Sequence, residues 1–159
     1  MAKNLPDEDR RRLQNLAEFR YELRQFLQFS ETCSAQAGLH PQQHQLLLQI
    51  AGAQDEGETT VSYAAERLGL RHHTVVELSK RCEEAGLIHR NQDLNDRRRI
   101  QLQVTAKGHR VLRVLSEDHE RELYELGPRL IRALSLICGS DEDAASDRRN
   151  AATLEEIRK

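Results

Sequence analysis

The sequence predicts a mainly α-helical chain with one small β-hairpin, and three observations predict it. Apolar residues recur every three or four positions near both ends, as Leu13, Leu16, Phe19, Leu23, Phe26 and Leu27, and again as Leu112, Leu115, Leu123, Leu126, Leu130, Leu134 and Ile137. Only one stretch alternates as a strand does, with Ile100, Leu102 and Val104 apolar and Gln101 and Gln103 polar. In the middle of the chain, two short helical patterns meet at the corner Gly69-Leu70.

In chain order, residues 7–37 read as one long helix, opened by Asp7, Glu8 and Asp9 after Pro6 and ended by Gly38. Pro41 opens the next helix with His40 as its cap, and Leu46, Leu47 and Ile50 are its inward stripe. After the loop from Gly52 to Glu58, a helix is predicted over 62–68, with Ser62 as its N-cap and Ala64, Ala65 and Leu68 facing inward. A second follows over 71–85 with Val75, Leu78 and Cys82 on the core side, leaving Arg71, His72, His73, Thr74, Glu77, Lys80 and Arg81 outside. A strand over 87–90, a charged loop over 91–99 and the return strand over 100–104 complete the hairpin, and Thr105 caps the helix after it. Helical spacing then resumes past Gly108. Pro128 lacks an amide hydrogen, so a kink or two successive helices are expected there. Beyond Gly139 the chain turns polar, and residues 153–159 are expected to form one or two loose helical turns.

Two helices at a glycine corner followed at once by a charged hairpin make a winged helix-turn-helix. The charge agrees with that outline. The whole chain carries a net −2, but residues 59–113 hold 11 Lys or Arg against 6 Asp or Glu, while the remainder is acidic. A basic part on an acidic chain suits one face that holds nucleic acid. The loop ends in Arg97-Arg98-Arg99, a poor core segment and a good phosphate probe. No apolar run approaches the ~20 residues of a membrane span, and the first residues lack the apolar core of a signal peptide, so a cytoplasmic location is expected. Three cysteines far apart do not make a disulfide framework.

Several residue pairs and runs carry a resemblance. Val61-Ser62, Ala65-Glu66-Arg67-Leu68-Gly69-Leu70, Thr74-Val75, Leu78, Arg81, Glu83-Glu84, Gly86-Leu87, Asp93, Asp96, Arg98, Val104-Thr105 and Gly108 together resemble the MarR family of bacterial winged helix-turn-helix regulators. The Asp-Arg-Arg wing followed by Thr-x-x-Gly is the most specific part, and the likeness runs from about Leu13 to about Ile137. Arg71-His72-His73 departs from the more usual small polar start of the recognition helix, and Cys82 stands where leucine is commoner. The resemblance implies dimerisation through the N- and C-terminal helices. It also implies a small, often aromatic, effector that shifts the spacing of the two recognition helices.

The organisation expected is a dimerisation helix over 7–38, a winged helix-turn-helix over 39–108, further dimerisation helices over 109–138 and a polar tail over 139–159. Leu13, Leu16, Phe19, Leu23, Leu126, Leu130 and Leu134 are the candidate dimer stripe, since one small winged domain cannot cover so long an apolar face. A homodimer would lay two recognition helices on an inverted repeat of half-sites ~10 bp apart. Arg71, His72, His73 and Thr74 sit at the end that meets base edges. Lys80 lies further along the same outer face, Arg81 is expected on phosphate, and Glu77 on cytosine or on a neighbouring Arg or His. Arg98 matches the family's wing arginine and is expected in the minor groove beside Arg97 and Arg99, with Asp93 and Asp96 holding the loop's shape.

The chain is thus expected to be a repressor on double-stranded DNA, with no cofactor. Nucleophile-elbow, phosphate-loop and catalytic zinc patterns are missing, which argues against an enzyme. Two alternatives keep the same fold. One is a metal or oxidant sensor, with Cys33, His40, His44 and His109 as the speculative ligand set and Cys33, Cys82 and Cys138 as thiols. The other is a protein-interaction module without DNA binding, which Arg97-Arg98-Arg99 disfavours.

Overall fold

The computed structural model describes residues 6–54, 56–93, 96 and 99–139. Its elements are α1 (Asp7–Gln36), α2 (Pro41–Ala51), a 3-10 turn (Glu56–Glu58), α3 (Val61–Leu68), α4 (His72–Glu84), β1 (Ile88–Gln92), β2 (Ile100–Val104) and α5 (Ala106–Cys138). The mainly helical fold with one antiparallel wing is the one the sequence predicts. The turns expected over 153–159 lie outside the described residues. No described helix is long and apolar enough to cross a membrane.

The helix starts follow their local chemistry, with one difference from expectation. The His40 Nδ1 accepts the Gln42 amide at 3.3 Å and the Gln43 side chain returns to the His40 amide at 3.0 Å, closing a capping box ahead of Pro41. At α3 the cap is Thr60, not Ser62: the Thr60 Oγ1 accepts the Tyr63 amide at 3.2 Å, and Ser62 is exposed inside the helix. The reason is the neighbouring strand. Thr60 forms a β-bridge to Gln101 and is extended (φ −99°, ψ 169°), the backbone an N-cap requires, and this places Val61 in the first turn, 2% exposed. Gly69 ends α3 at φ 63°, a left-handed residue that lets α4 start at once.

At Pro128 the chain stays within the one helix α5, so of the two outcomes expected there, a kink or two successive helices, the second does not occur. One hydrogen bond is lost there, but the ring's usual clash with the preceding Cβ is absent because residue 127 is glycine.

Two compact units divide the chain: Phe29–Glu120, and the flanking segments up to Gln28 and from Arg121. In the first, Leu46, Leu47, Val61, Ala64, Val75, Leu78, Cys82, Leu87, Ile88, Leu102 and Leu115 form a closed core. β1 and β2 pair Ile88 with Val104, Arg90 with Leu102 and Gln92 with Ile100, so Ile88, Leu102 and Val104 are inward and buried. Thr59 is fastened to β2 as well, its hydroxyl donating to the Leu102 carbonyl at 2.8 Å and its carbonyl accepting the Leu102 amide at 2.7 Å. Gly108 sits where a Cβ would lie 2.4 Å from the Leu87 carbonyl oxygen and 2.6 Å from the Val104 side chain, so nothing larger than hydrogen fits. The Thr105 hydroxyl reaches the carbonyls of Gly86 at 2.7 Å and Leu87 at 3.1 Å and accepts the Gly108 amide, locking the start of α5 to the β1 turn.

In the other unit, Asn15 Nδ2 donates to the Leu136 carbonyl at 2.9 Å, and Arg129 lies 3.5 Å from the buried Glu22 carboxylate. Leu126 and Ala133 are covered here, but Leu13, Leu16, Leu23, Leu27, Ile131, Leu134 and Leu136 are exposed.

Candidate nucleic-acid interface

α4 is amphipathic by sequence, and the fold uses both faces. Val75, Leu78, Ser79 and Cys82 are buried; Arg71, His72, His73, Glu77, Lys80 and Arg81 are exposed, and Thr74 is half-buried between them. Arg71 is the N-cap and makes no side-chain capping bond, so its guanidinium is not consumed at the helix start. Further along, Lys80 donates to the Glu77 carboxylate at 2.7 Å. That bond first, with the charges of Arg81 and Arg90, holds the Glu77 carboxyl below its ordinary pKa. The Glu77 partner is thus Lys80, where a neighbouring Arg or His is the expectation from sequence.

The wing is built at its base. The Asp93 amide donates to the Arg99 carbonyl at 3.0 Å, the Arg99 amide to the Asp96 carbonyl at 2.8 Å, and the Asp93 Oδ1 accepts the Asp96 amide at 3.2 Å. The Asp93 carboxylate therefore shapes the loop, as does the Asp96 carbonyl, and Arg99 is exposed beside them. Arg97 and Arg98 lie outside the described residues.

The speculative metal set is not brought together. His40 caps α2, His44 is buried, Cys33 is buried, and His109 lines an open cleft of ≈ 320 Å³ with Asn91, Gln101 and Gln103. Among the described residues no group of three His, Cys, Asp or Glu is placed to hold a metal ion. The thiols give the oxidant reading little support. Burial pushes Cys82 up to about 11, which the Arg81 charge and a Gln43 hydrogen bond only partly offset.

Sequence reasoning missed one polar network altogether. His44 Nδ1 is 3.0 Å from the Ser34 Oγ, Ser34 donates to the Ser30 carbonyl at 2.8 Å, the Ser30 Oγ is 2.8 Å from His119 Nε2, and His119 Nδ1 meets the Leu115 carbonyl. The donors assign themselves from this chain. A carbonyl only accepts, so His119 carries its proton on Nδ1, and Ser30 donates to its Nε2; Ser34 has spent its proton, so His44 donates from Nδ1. The two imidazole ring centres lie 5.1 Å apart. His44 has a lowered pKa, from burial first and then from His119. The available signal was His119 falling four residues after Leu115 on the inward stripe of α5, with Ser30 and Ser34 one turn apart in α1.

The MarR family profile matches residues 37–99. No curated protein matches the chain. Among solved structures, a MarR family protein from Bacillus stearothermophilus is similar at 23% identity and TM-score 0.61, covering 98% of this chain and 99% of that one. MepR, a transcription regulator of the Staphylococcus aureus multidrug efflux pump MepA, is similar at 20% identity and TM-score 0.60, covering 89% and 96%. The S. aureus MepR–DNA complex is similar at 19% identity and TM-score 0.51, covering 89% and 97%. Residues 37–99, where the helix-turn-helix and the first strand of the wing lie, match the MarR family profile, and the fold is the winged helix-turn-helix of the similar structures.

Proposed function

We propose that the chain is a dimeric, sequence-specific DNA-binding transcriptional regulator, a repressor that a small-molecule effector, aromatic by resemblance, releases from an inverted-repeat operator. The observation that carries this reading is the one-sidedness of α4, whose buried face is apolar and whose opposite face presents Arg71, His72, His73, Lys80 and Arg81 to solvent. Arg71, His72, His73 and Thr74 read base edges in the major groove, and Arg81 and Lys80 sit on phosphate. The wing, with Arg97, Arg98 and Arg99, follows the minor groove. Residues 39–108 are then the DNA-reading module, and the helices of 7–38 and 109–138 join two copies. The DNA complex of MepR and its role as a transcription regulator support the same use of the fold here. No step of this reading calls for catalysis or a cofactor.

The test is binding of a labelled duplex from the chain's own upstream region, followed by fluorescence anisotropy and titrated against salt. Specific retention with a steep salt slope is expected. Arg98→Ala should weaken it by ~1–3 kcal/mol, the scale of one good arginine contact. Undiminished binding by Arg98→Ala removes the wing from the reading, and no retention at low salt removes DNA.

A further inference from the structure

β1 carries a charge on its inward face. Ile88 and Arg90 lie two residues apart, on the same side of the strand; Ile88 is buried, and the Arg90 side chain is only 14% exposed. An arginine placed there is costly unless its charge is met. Its carboxylate partner is Glu83, in the last turn of α4, while the buried Arg90 Nε has no hydrogen-bond partner of its own among the described residues. One carboxylate oxygen, Oε1, accepts the Arg90 backbone amide at 3.0 Å, and the other, Oε2, lies 3.7 Å from the Arg90 Nη1. A single carboxylate on the recognition helix thus holds both the main chain and the side chain of one residue on the wing's first strand.

The position matters. Arg90 is two residues before the end of β1, where the hairpin leaves the core: Ile88 is buried, whereas Asn91 and Gln92 are exposed. The 83–90 contact is therefore a tie between α4 and the outer part of the hairpin. The charge of Arg90 also reaches Glu77 one face along α4.

We propose that Glu83 and Arg90 are positioning residues that fix the wing at a set angle to the recognition helix, so that the two elements engage DNA as one rigid unit. This rests on the DNA-binding reading above. Neither residue needs to touch DNA, because Arg90 is largely covered and Glu83 would repel phosphate.

The experiment is a pair of double-mutant cycles on duplexes selected from a random-sequence pool by the wild-type protein. Arg90→Gln should weaken binding roughly ten-fold, about what loss of one wing contact costs. In that background Arg98→Ala should add little, because the wing is already misplaced, while Arg71→Ala on the helix should add its full effect. Glu83→Gln keeps an acceptor for the Arg90 amide but loses the charge, so it should fall between wild type and Arg90→Gln. Hydrogen exchange without DNA should show faster exchange at the Asp93 and Arg99 amides in both variants and unchanged exchange in the middle of α4. Additive effects of Arg90→Gln with both Arg98→Ala and Arg71→Ala overturn the tie while leaving DNA binding intact. Equal loosening of α4 and the wing also overturns it, as general destabilisation. Should the wild-type protein select no duplex, the functional reading and this proposal fall together.

Discussion

The unit of Phe29–Glu120 and the unit of the terminal segments contain leucines at similar helical spacing but cover them very differently. In the first, Leu46, Leu47, Leu78, Leu87, Leu102 and Leu115 are no more than 2% exposed. In the second, Leu126 is fully covered, yet Leu13 is 54% exposed, Leu16 46%, Ile131 68% and Leu136 55%. The first closes its own core. The second leaves to water apolar side chains whose burial would be worth roughly 25 cal/mol per Å², which is the face that the dimer proposed above would cover. Of the candidate dimer residues, Leu13, Leu16, Leu23 and Leu134 are on offer, Phe19 and Leu130 are half-covered, and Leu126 is spent within one chain.

The strongest way to break this comparison is to charge the exposed stripe. Leu16→Asp with Leu134→Asp should convert a dimer to a monomer in sedimentation velocity, and because two half-sites then bind independently, operator affinity should fall ~100-fold or more. The covered unit should keep its helical signal. A double variant that sediments and binds like wild type would show that the stripe serves something other than self-association.

Gly108→Ala probes the covered unit in the opposite sense. The new methyl would meet the Leu87 carbonyl, which is backbone and cannot swing aside, as well as Val104. A loss of about 3 kcal/mol in urea unfolding is expected, the upper range of overpacking penalties. Unchanged stability would mean that α5 can start elsewhere than against the wing turn.

These two glycine and leucine cases also mark how far the sequence was legible. Spacing alone placed α1 to α4 within about two residues, because an apolar stripe and a glycine stop are local signals. The recognition helix and β2 were legible for the same reason. Ser62 was taken as the cap of α3 because a hydroxyl before an apolar run has that meaning locally, whereas the contact that decides it, Thr60 against Gln101, joins residues far apart in sequence. The cost of Pro128 is local, which is why a kink or two helices is the expectation there, while its place inside one helix is eased by the glycine before it. The His44–His119 network escaped because it joins α1, α2 and α5, and no single helix displays it. Likewise the pairing of Glu83 with Arg90 has no local mark, because it depends on β1 turning Arg90 inward.

That network sharpens the comparison through pH. His44 has a lowered pKa in the fold and the ordinary 6.5 as its reference, so the unfolded chain binds its proton first. Stability from this site is fully present above 6.5 and declines as pH falls below it. Ser30, Ser34, Phe29 and His119 face the site. The charge of His119 acts on His44 in the same direction as its burial. The urea midpoint should therefore drop on mild acidification, and His44→Asn, whose amide can replace the Nδ1 donor to Ser34, should flatten the drop. A drop of equal steepness in His44→Asn would assign it to other groups.

The smallest effect separates two neighbouring hydroxyls. Thr60 is 7% exposed and caps α3 through the Tyr63 amide, while Ser62, two residues on, is exposed. Thr60→Ala leaves that amide without its acceptor at the helix start, and caps of this kind are worth ~1 kcal/mol. Ser62→Ala removes a hydroxyl from an exposed helical position and puts in the better helix former, so it should be neutral or slightly stabilising, by a few tenths of a kcal/mol at most. Thermal unfolding of the two single variants side by side reads the difference directly. If Ser62→Ala proves the costlier, α3 begins two residues later than its burial pattern requires, and Val61 would have to be held in the core by the Thr59–Leu102 bonds alone.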